Sequence, residues 1–400
     1  MIKIEVSKAH QAKIRAGYPW VFHYQVVAQK GTGVAGDLAV VYDHRNRFLA
    51  MGLYDPHSEI RLRVLQTRSP VEIDAEFFRT RFKEAQILRA GLESQGTTGY
   101  RVLNGEGDGF PGLVLDRYDT TVVFKLYSLC WFPWLETLLE TIHHSAPFER
   151  AVLRLSRNIH QAAQKAGNYR DGQVLSGPNV DEPVKFRENG LWFEADVLHG
   201  QKTGFFLDQR DNRGRIRLLA GGRRVANVFS YTGAFSVYAG VGGCRSVLEI
   251  DANPLAMKSA RENWRLNGSV LGLDLKVPEQ ICGDAFEILD RLHKERRMFD
   301  LVILDPPAFA RKKNQEQKAL NAYTSLATSG AKVTQSNGLL FAASCSNQVG
   351  EDDFFEASLR GIRAAGRKFS ERFRSGHAPD HPIRFSEGAY LKAICLELGV

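Results

Sequence analysis

The chain has 400 residues, 44% of them hydrophobic, and a formal charge of +8 at pH 7. That length exceeds one ordinary core, so two or three domains are expected. No apolar run approaches the roughly 20 residues of a membrane-spanning helix, and the N-terminal MIKIEVSKAHQAKIR has no apolar signal core, which points to a cytoplasmic protein. Five cysteines, at 130, 244, 282, 345 and 395, are odd in number, scattered and without a Cys-x-x-Cys pair. This argues against a disulfide framework or structural zinc, and the positive balance favours a polyanionic partner, nucleic acid first.

Residues 1–70 read as a small all-β module. Short apolar or alternating runs at Leu38–Tyr42, Phe48–Leu53 and Ile60–Val64 are separated by the turn-forming stretches Gly31–Gly36 and Asp43–Asn46. Lys8, Lys13 and Arg15, followed by Tyr18-Pro19-Trp20-Val21-Phe22, combine cations that can meet phosphates with aromatic faces that can stack a base. Trp20 and Phe22 taken singly read as core; the module as a whole reads as RNA-binding. Residues 71–195 read as a central α+β unit. It holds a helix over Glu72–Leu92, glycine-marked turns between Tyr100 and Leu113, a hairpin of Val114–Tyr118 with Thr121–Leu126, and a helix over Trp131–His143. Strands at Ala151–Ser156 and Lys185–Glu194 follow, the latter with a turn at Glu188-Asn189-Gly190. This unit shows no catalytic constellation.

Residues 196–400 carry the chemistry. His199–Arg213, HGQKTGFFLDQRDNR, is dense in polar side chains. Asp211 and Asn212 are placed to cap a helix, and Lys202, Asp208, Gln209 and Arg210 suit the ammonium and carboxylate of a methionine moiety; a capped amphipathic helix accounts equally well for the spacing. Next comes an apolar run, Val225–Phe229, a turn over Ser230–Phe235, a small-residue segment, and a second run, Val247–Ile250, ending on Asp251. Strand, tight turn, helix, strand, acid is the first half of a doubly wound α/β sheet. Phe229, Ser230, Tyr231, Thr232 and Gly233 would approach a ligand closely, and Asp251 would hold ribose hydroxyls. The G-x-G-x-x-G spacing that receives a pyrophosphate is absent, so a nucleoside without a diphosphate fits better, S-adenosylmethionine above all. Asn253-Pro254 starts a helix that should stop at Gly268. Pro278–Cys282 is a strand, and Asp284 after it can accept from an adenine amino group, cap the helix Ala285–His293, or do both.

A buried strand, Phe299–Leu304, runs into Asp305-Pro306-Pro307-Ala308-Phe309, where the prolines stiffen a loop that can present Asp305 to a base. Lys312, Lys313 and Lys318 nearby offer phosphate contacts or a solvated face. The next strand, Gly338–Ser344, ends at Ser344-Cys345-Ser346. A cysteine at a strand's carboxyl end suits methylation of a pyrimidine carbon. C5 of cytosine is a poor nucleophile, and a thiolate added to C6 makes it enamine-like. Asp305 would hold N3, and a target inside a duplex would have to be flipped out.

With these residues in view, the chain resembles the bacterial large-subunit (23S) ribosomal RNA cytosine-5 methyltransferase I family. The resemblance covers nearly all of it. It is carried by Pro19-Trp20-Val21-Phe22, His199-Gly200, Lys202-Thr203-Gly204, Leu207-Asp208-Gln209-Arg210-Asp211, Phe229-Ser230-Tyr231-Thr232-Gly233, Asp305-Pro306-Pro307, Ser344-Cys345-Ser346, and Asp380-His381-Pro382 with Glu387-Gly388. The resemblance implies a PUA domain, a central domain and a Rossmann-like S-adenosylmethionine-dependent methyltransferase domain. It also implies 23S ribosomal RNA as partner and Cys345 as nucleophile. Ala308 and Asn347 depart from the lysine and glycine expected there. Two rivals stay open: an amino-group methyltransferase that stacks a flipped base on Phe309 and needs no thiol, and a non-enzymatic RNA-binding or assembly factor. The sequence is compatible with a monomer or a homodimer, and gives no reason to expect a membrane partner.

Overall fold

The computed structural model describes residues 2–271, 276–310 and 313–399. The chain divides into two compact units. The first comprises Met1–Gly190, Ala195–Leu207 and Pro379–Gly388; the second comprises Leu191–Glu194, Asp208–Ala378 and Ala389–Val400. Among the described residues no helix is long and apolar enough to cross a membrane.

The first unit opens with β1 (Ile2–Val6), α1 (Lys8–Arg15), β2 (Trp20–Phe22), β3 (Val26–Lys30), β4 (Leu38–Tyr42), β5 (Phe48–Tyr54) and β6 (Ile60–Thr67). These strands form one sheet in the order β2-β6-β5-β4-β1-β3, with β1 and β4 parallel. Helix α1 departs from the expected all-β reading. Its buried face includes His10 and Gln11, which hydrogen-bond the carbonyls of Trp20 (2.8 Å) and Val6 (3.0 Å), so no apolar period betrays it. Trp20 is half-buried, and its indole N–H donates to Glu106 Oε1 at 2.8 Å. Phe22 stacks on the exposed Tyr24, with ring centroids 5.5 Å apart.

Next come α2 (Ala75–Ile87), β7 (Gly99–Asn104), β8 (Leu113–Tyr118), β9 (Thr121–Leu126), α3 (Leu135–Ser145), β10 (Arg150–Leu155), α4 (His160–Gly167) and β11 (Gln173–Ser176). The five strands form a second sheet in the order β11-β10-β9-β8-β7. Helix α2 starts later than predicted because Asp74 caps it, accepting from the Phe77 amide at 2.8 Å, and it ends at Ile87, short of the expected Leu92. The helix expected from Trp131 begins instead as a 3-10 turn, Leu129–Trp134, which contains Pro133; proline has no N–H for an α-helical ladder. Asn189 and Gly190 both take positive φ (51° and 78°), as a two-residue hairpin turn requires, and join β12 (Val184–Glu188) to β13 (Leu191–Ala195).

The second unit contains α5 (Arg210–Leu219), β14 (Arg224–Val228), α6 (Ala234–Val241), β15 (Ser246–Asp251), α7 (Pro254–Leu271), β16 (Glu279–Cys282) and α8 (Ala285–Lys294). It continues with β17 (Phe299–Leu304), α9 (Glu316–Val333), β18 (Thr334–Ser344), α10 (Glu351–Ala364), β19 (Phe369–Ser375) and β20 (Lys392–Leu398). The sheet order is β16-β15-β14-β17-β18-β20-β19. Strands β14 to β18 run parallel, while β20 is antiparallel to both its neighbours. The order reverses between β14 and β17, and in such sheets ligands bind beyond the strands' carboxyl ends at that switch point. Two local expectations are corrected. Helix α5 begins at Arg210 with Gln209 in the capping position, so Asp211 and Asn212 lie inside it. Helix α7 starts as predicted, with Asn253 Oδ1 accepting from the Leu255 amide at 3.0 Å, but it passes through Gly268 to Leu271. One glycine weakens a helix by about 1 kcal/mol, too little to stop one.

Candidate active site

The loop that follows β14 is held in a conformation side chains rarely adopt. Phe229, Tyr231 and Gly233 all take positive φ, at 63°, 48° and 73°. For the two aromatic residues this costs on the order of 1–2 kcal/mol each, and such strain persists where surrounding bonds over-determine it. Those bonds are present. The Ser230 amide donates to the Ile250 carbonyl at 3.0 Å, the Tyr231 amide to Asp251 Oδ2 at 2.8 Å, and Asn263 Nδ2 to the Thr232 carbonyl at 2.9 Å. A Cβ on Gly233 would stand 2.7 Å from Glu249 Oε1 and 2.8 Å from Ala260 Cβ, so the loop fits against β15 and α7 only without one.

Asp251 orients both its oxygens with backbone amides, since Oδ1 accepts from the Asn253 N–H at 2.8 Å. A carboxylate oxygen accepts two hydrogen bonds, so each retains capacity for a hydroxyl. Asp284 is exposed and caps α8, its Oδ1 accepting from the Phe286 and Glu287 amides at 2.9 and 3.1 Å. Asp208 is buried, and its Oδ2 accepts from the Tyr390 hydroxyl at 2.8 Å. Arg210 is buried with its Nε 3.4 Å from Asp211 Oδ1. Lys202 belongs to the first unit, with its ammonium over the Phe206 ring, whereas Asp208, Gln209 and Arg210 belong to the second.

Gln209, read from the sequence as a cofactor contact, donates instead to Asp305 Oδ1 at 3.0 Å. Its Oε1 in turn accepts from Asn212 Nδ2, whose amide oxygen accepts from the Ser375 hydroxyl. This chain of bonds holds one carboxylate oxygen of the half-buried Asp305. On the neighbouring strand Leu304 pairs with Ala342, so Cys345 comes just beyond the level of Asp305. Cys345 is half-exposed and its flanking serines are both pinned. Ser344 Oγ bonds the Tyr323 hydroxyl at 2.8 Å and accepts from the Ser346 amide at 3.3 Å. Ser346 Oγ donates to the Ala310 carbonyl at 3.2 Å, which ties the cysteine turn to the Asp305 loop. Burial pushes the Tyr323 hydroxyl up to about 12, with the charges of Cys345 and Asp305 acting in the same direction, so both groups share its surroundings.

The remaining cysteines differ. Cys130 and Cys395 are buried, their thiols pushed up by burial to about 11 and about 12; Cys244 is half-buried and also raised by burial to about 11; Cys282 is exposed. Of the lysines read as phosphate contacts, Lys318 is exposed on α9, while Lys312 and the Lys313 side chain lie outside the described residues. Sequence reading missed Tyr323, Glu249 and Lys392. Tyr323 and Glu249 sit among apolar residues of regular elements, and Lys392 opens an apolar strand, where a lysine reads as a solvated end.

Residues 155–396 match the S-adenosylmethionine-dependent methyltransferase family, and residues 4–67 match a PUA-like domain. The chain belongs to the S-adenosylmethionine-dependent methyltransferases. It is 46% identical to a ribosomal RNA large subunit methyltransferase of Deinococcus radiodurans, over 99% of this chain and 97% of that one. It is 34% identical to the ribosomal RNA large subunit methyltransferase I of Serratia proteamaculans, over 98% of each. Among solved structures it shares its fold with a SAM-dependent methyltransferase from Streptococcus mutans, with a TM-score of 0.83, 22% identity, and coverage of 99% of this chain and 100% of that one. A methyltransferase complexed with SAH gives a TM-score of 0.84 at 22% identity and the same coverage. The methyl donor of this methyltransferase is therefore S-adenosylmethionine.

Proposed function

We propose that the protein methylates C5 of a cytosine in large-subunit (23S) ribosomal RNA, with Cys345 as nucleophile and Asp305 as the group that holds the base. The observation that carries this reading is the turn over Ser344–Ser346. It presents a half-exposed sulfur at the carboxyl end of β18 and is tied through Ser346 to the loop that bears Asp305. Relatives covering the full chain are named for ribosomal RNA of the large subunit, which supports the substrate.

Asp208, Arg210, Phe229, Ser230, Tyr231, Thr232, Gly233, Asp251, Asp284 and Asp305 are proposed to line the donor's pocket, and S-adenosylmethionine supplies an electrophilic methyl group there. The Cys345 thiolate adds to C6 of the cytosine, and the electron density gained at C5 takes up the methyl group. Asp305 stabilises the adduct at N3. Loss of the C5 proton then re-forms the C5–C6 double bond and expels the sulfur. The β-rich residues 1–70 are proposed to bind RNA, residues 71–195 to form the central domain, and residues 196–400 the methyltransferase domain.

Methylation of ribosomal RNA prepared without this activity should be abolished in Cys345→Ala, and RNA carrying 5-fluorocytosine should be trapped on the wild type as a covalent adduct. Undiminished methylation by Cys345→Ala would instead support amino-group transfer. Against that alternative, the Phe309 ring is already engaged, packed 4.9 Å from Tyr323 between ring centroids.

A further inference from the structure

Lys392 is buried at the start of β20, directly opposite Ser344 in the β18 ladder. Its ammonium donates to the Ser346 carbonyl at 2.6 Å and to the Val349 carbonyl. Burying a charge is costly unless something answers it, and two neutral carbonyls answer it only in part. An uncharged donor would satisfy those oxygens without the expense. The turn they belong to is the one that carries Cys345.

We propose that Lys392 is a positioning residue for Cys345: its ammonium fixes the turn that presents the sulfur, and its positive charge favours the thiolate. This rests on the reading of Cys345 as nucleophile. The Tyr323 hydroxyl from α9 is coupled to Cys345 and to Asp305 from the loop after β17, and the Lys392 ammonium from β20 is coupled to Cys345 and to Glu351 from the start of α10. Lys392 carries the positive charge in this set. Burial lowers the Lys392 ammonium below its ordinary value, while the charges of Cys345 and Glu351 act to retain it. Coulomb coupling is mutual, so the charge that the thiolate sustains on Lys392 sustains the thiolate in return. The Cys345 proton leaves to solvent, and the sulfur's electron pair is then available to C6.

The test is the pH dependence of iodoacetamide alkylation at Cys345, resolved from the other four cysteines by peptide mass spectrometry on the full-length protein. Lys392→Gln keeps an N–H donor for the carbonyls and removes the charge; Lys392→Arg keeps the charge. The midpoint should rise by about one pH unit in the Gln variant and stay within about 0.3 unit in the Arg variant, the direction in which nearby cations act on thiols. With ribosomal RNA as substrate, Lys392→Gln should lose kcat with little change in KM, and Lys392→Arg should restore most of it. An unchanged midpoint in a folded Lys392→Gln overturns the proposal. So does a wild-type midpoint above the roughly 8.5 of an ordinary cysteine, a measurement that needs no variant. Full methylation by Cys345→Ala would overturn the nucleophile reading itself, whereas a dead Cys345→Ala with an unmoved Lys392→Gln profile would remove Lys392 alone.

Discussion

Gly233 and Gly222 form a natural controlled pair. Their φ angles are nearly equal, 73° and 70°. Their surroundings are not, because a Cβ on Gly222 would meet nothing within 4 Å, while one on Gly233 would press on Glu249 Oε1 and Ala260 Cβ at 2.7 and 2.8 Å. Alanine at either position carries the left-handed penalty of about 1–2 kcal/mol. Alanine at 233 adds overpacking of about 1–3 kcal/mol, because Ala260 belongs to α7 and cannot swing aside as a long side chain can. For a unit of this size 1 kcal/mol shifts the melting midpoint by roughly 2–4 °C. Gly222→Ala should therefore melt a few degrees below wild type in scanning calorimetry, and Gly233→Ala distinctly lower again. Titration calorimetry with S-adenosylhomocysteine should show at least a tenfold loss of affinity, about 1.4 kcal/mol, for Gly233→Ala and none for Gly222→Ala. Equal melting of the two variants would refute the packing argument, and wild-type affinity in Gly233→Ala would refute the assignment of this loop to the donor.

Two further perturbations report on buried charge. The Arg89 guanidinium donates to both Asp108 oxygens, at 2.9 and 2.6 Å, and to the carbonyls of Ala85, Arg101 and Asp380. Arg89→Met should cost about 3–5 kcal/mol in denaturant unfolding by stranding a buried carboxylate; a loss under about 1 kcal/mol would mean the pair behaves as a surface one. Burial holds the Glu249 carboxyl above its ordinary value of 4.5. The folded state therefore binds that proton more tightly, and its contribution to stability is lost as pH rises from 4.5 through the folded value. Glu249→Gln should flatten this decline, so the variant gains on wild type with rising pH; melting curves that stay parallel between pH 4 and 8 would contradict the assignment.

The local geometry around the candidate site is partly legible in the chain because loops at strand ends are written in local chemistry. Asn253-Pro254, Asp284, the Phe229–Gly233 turn and Asp305-Pro306-Pro307 each announce a backbone geometry within a few residues, and the structure gives Asn253 and Asp284 the capping bonds expected of them. Helix α1 leaves no apolar period because its inward face is partly polar, and α7 runs past Gly268 because one glycine costs a helix too little to end it. Gln209 lies between Asp208 and Arg210 in the chain, yet its amide turns to Asp305, 96 residues away.

Residues close along the chain suffice for β14, α6 and β15, for the helix starts after Asn253 and Asp284, for β17 with its terminal acid, and for the cysteine after β18, since each depends on local chemistry. Only the tertiary structure decided that β17 and β18 lie side by side, that Ser346 ties the sulfur's turn to the Asp305 loop, and that Tyr323 and Lys392 stand beside Cys345. Those pairings join residues tens of positions apart whose meeting is set by the crossover of a parallel sheet, and no local period encodes which buried side chain will face which.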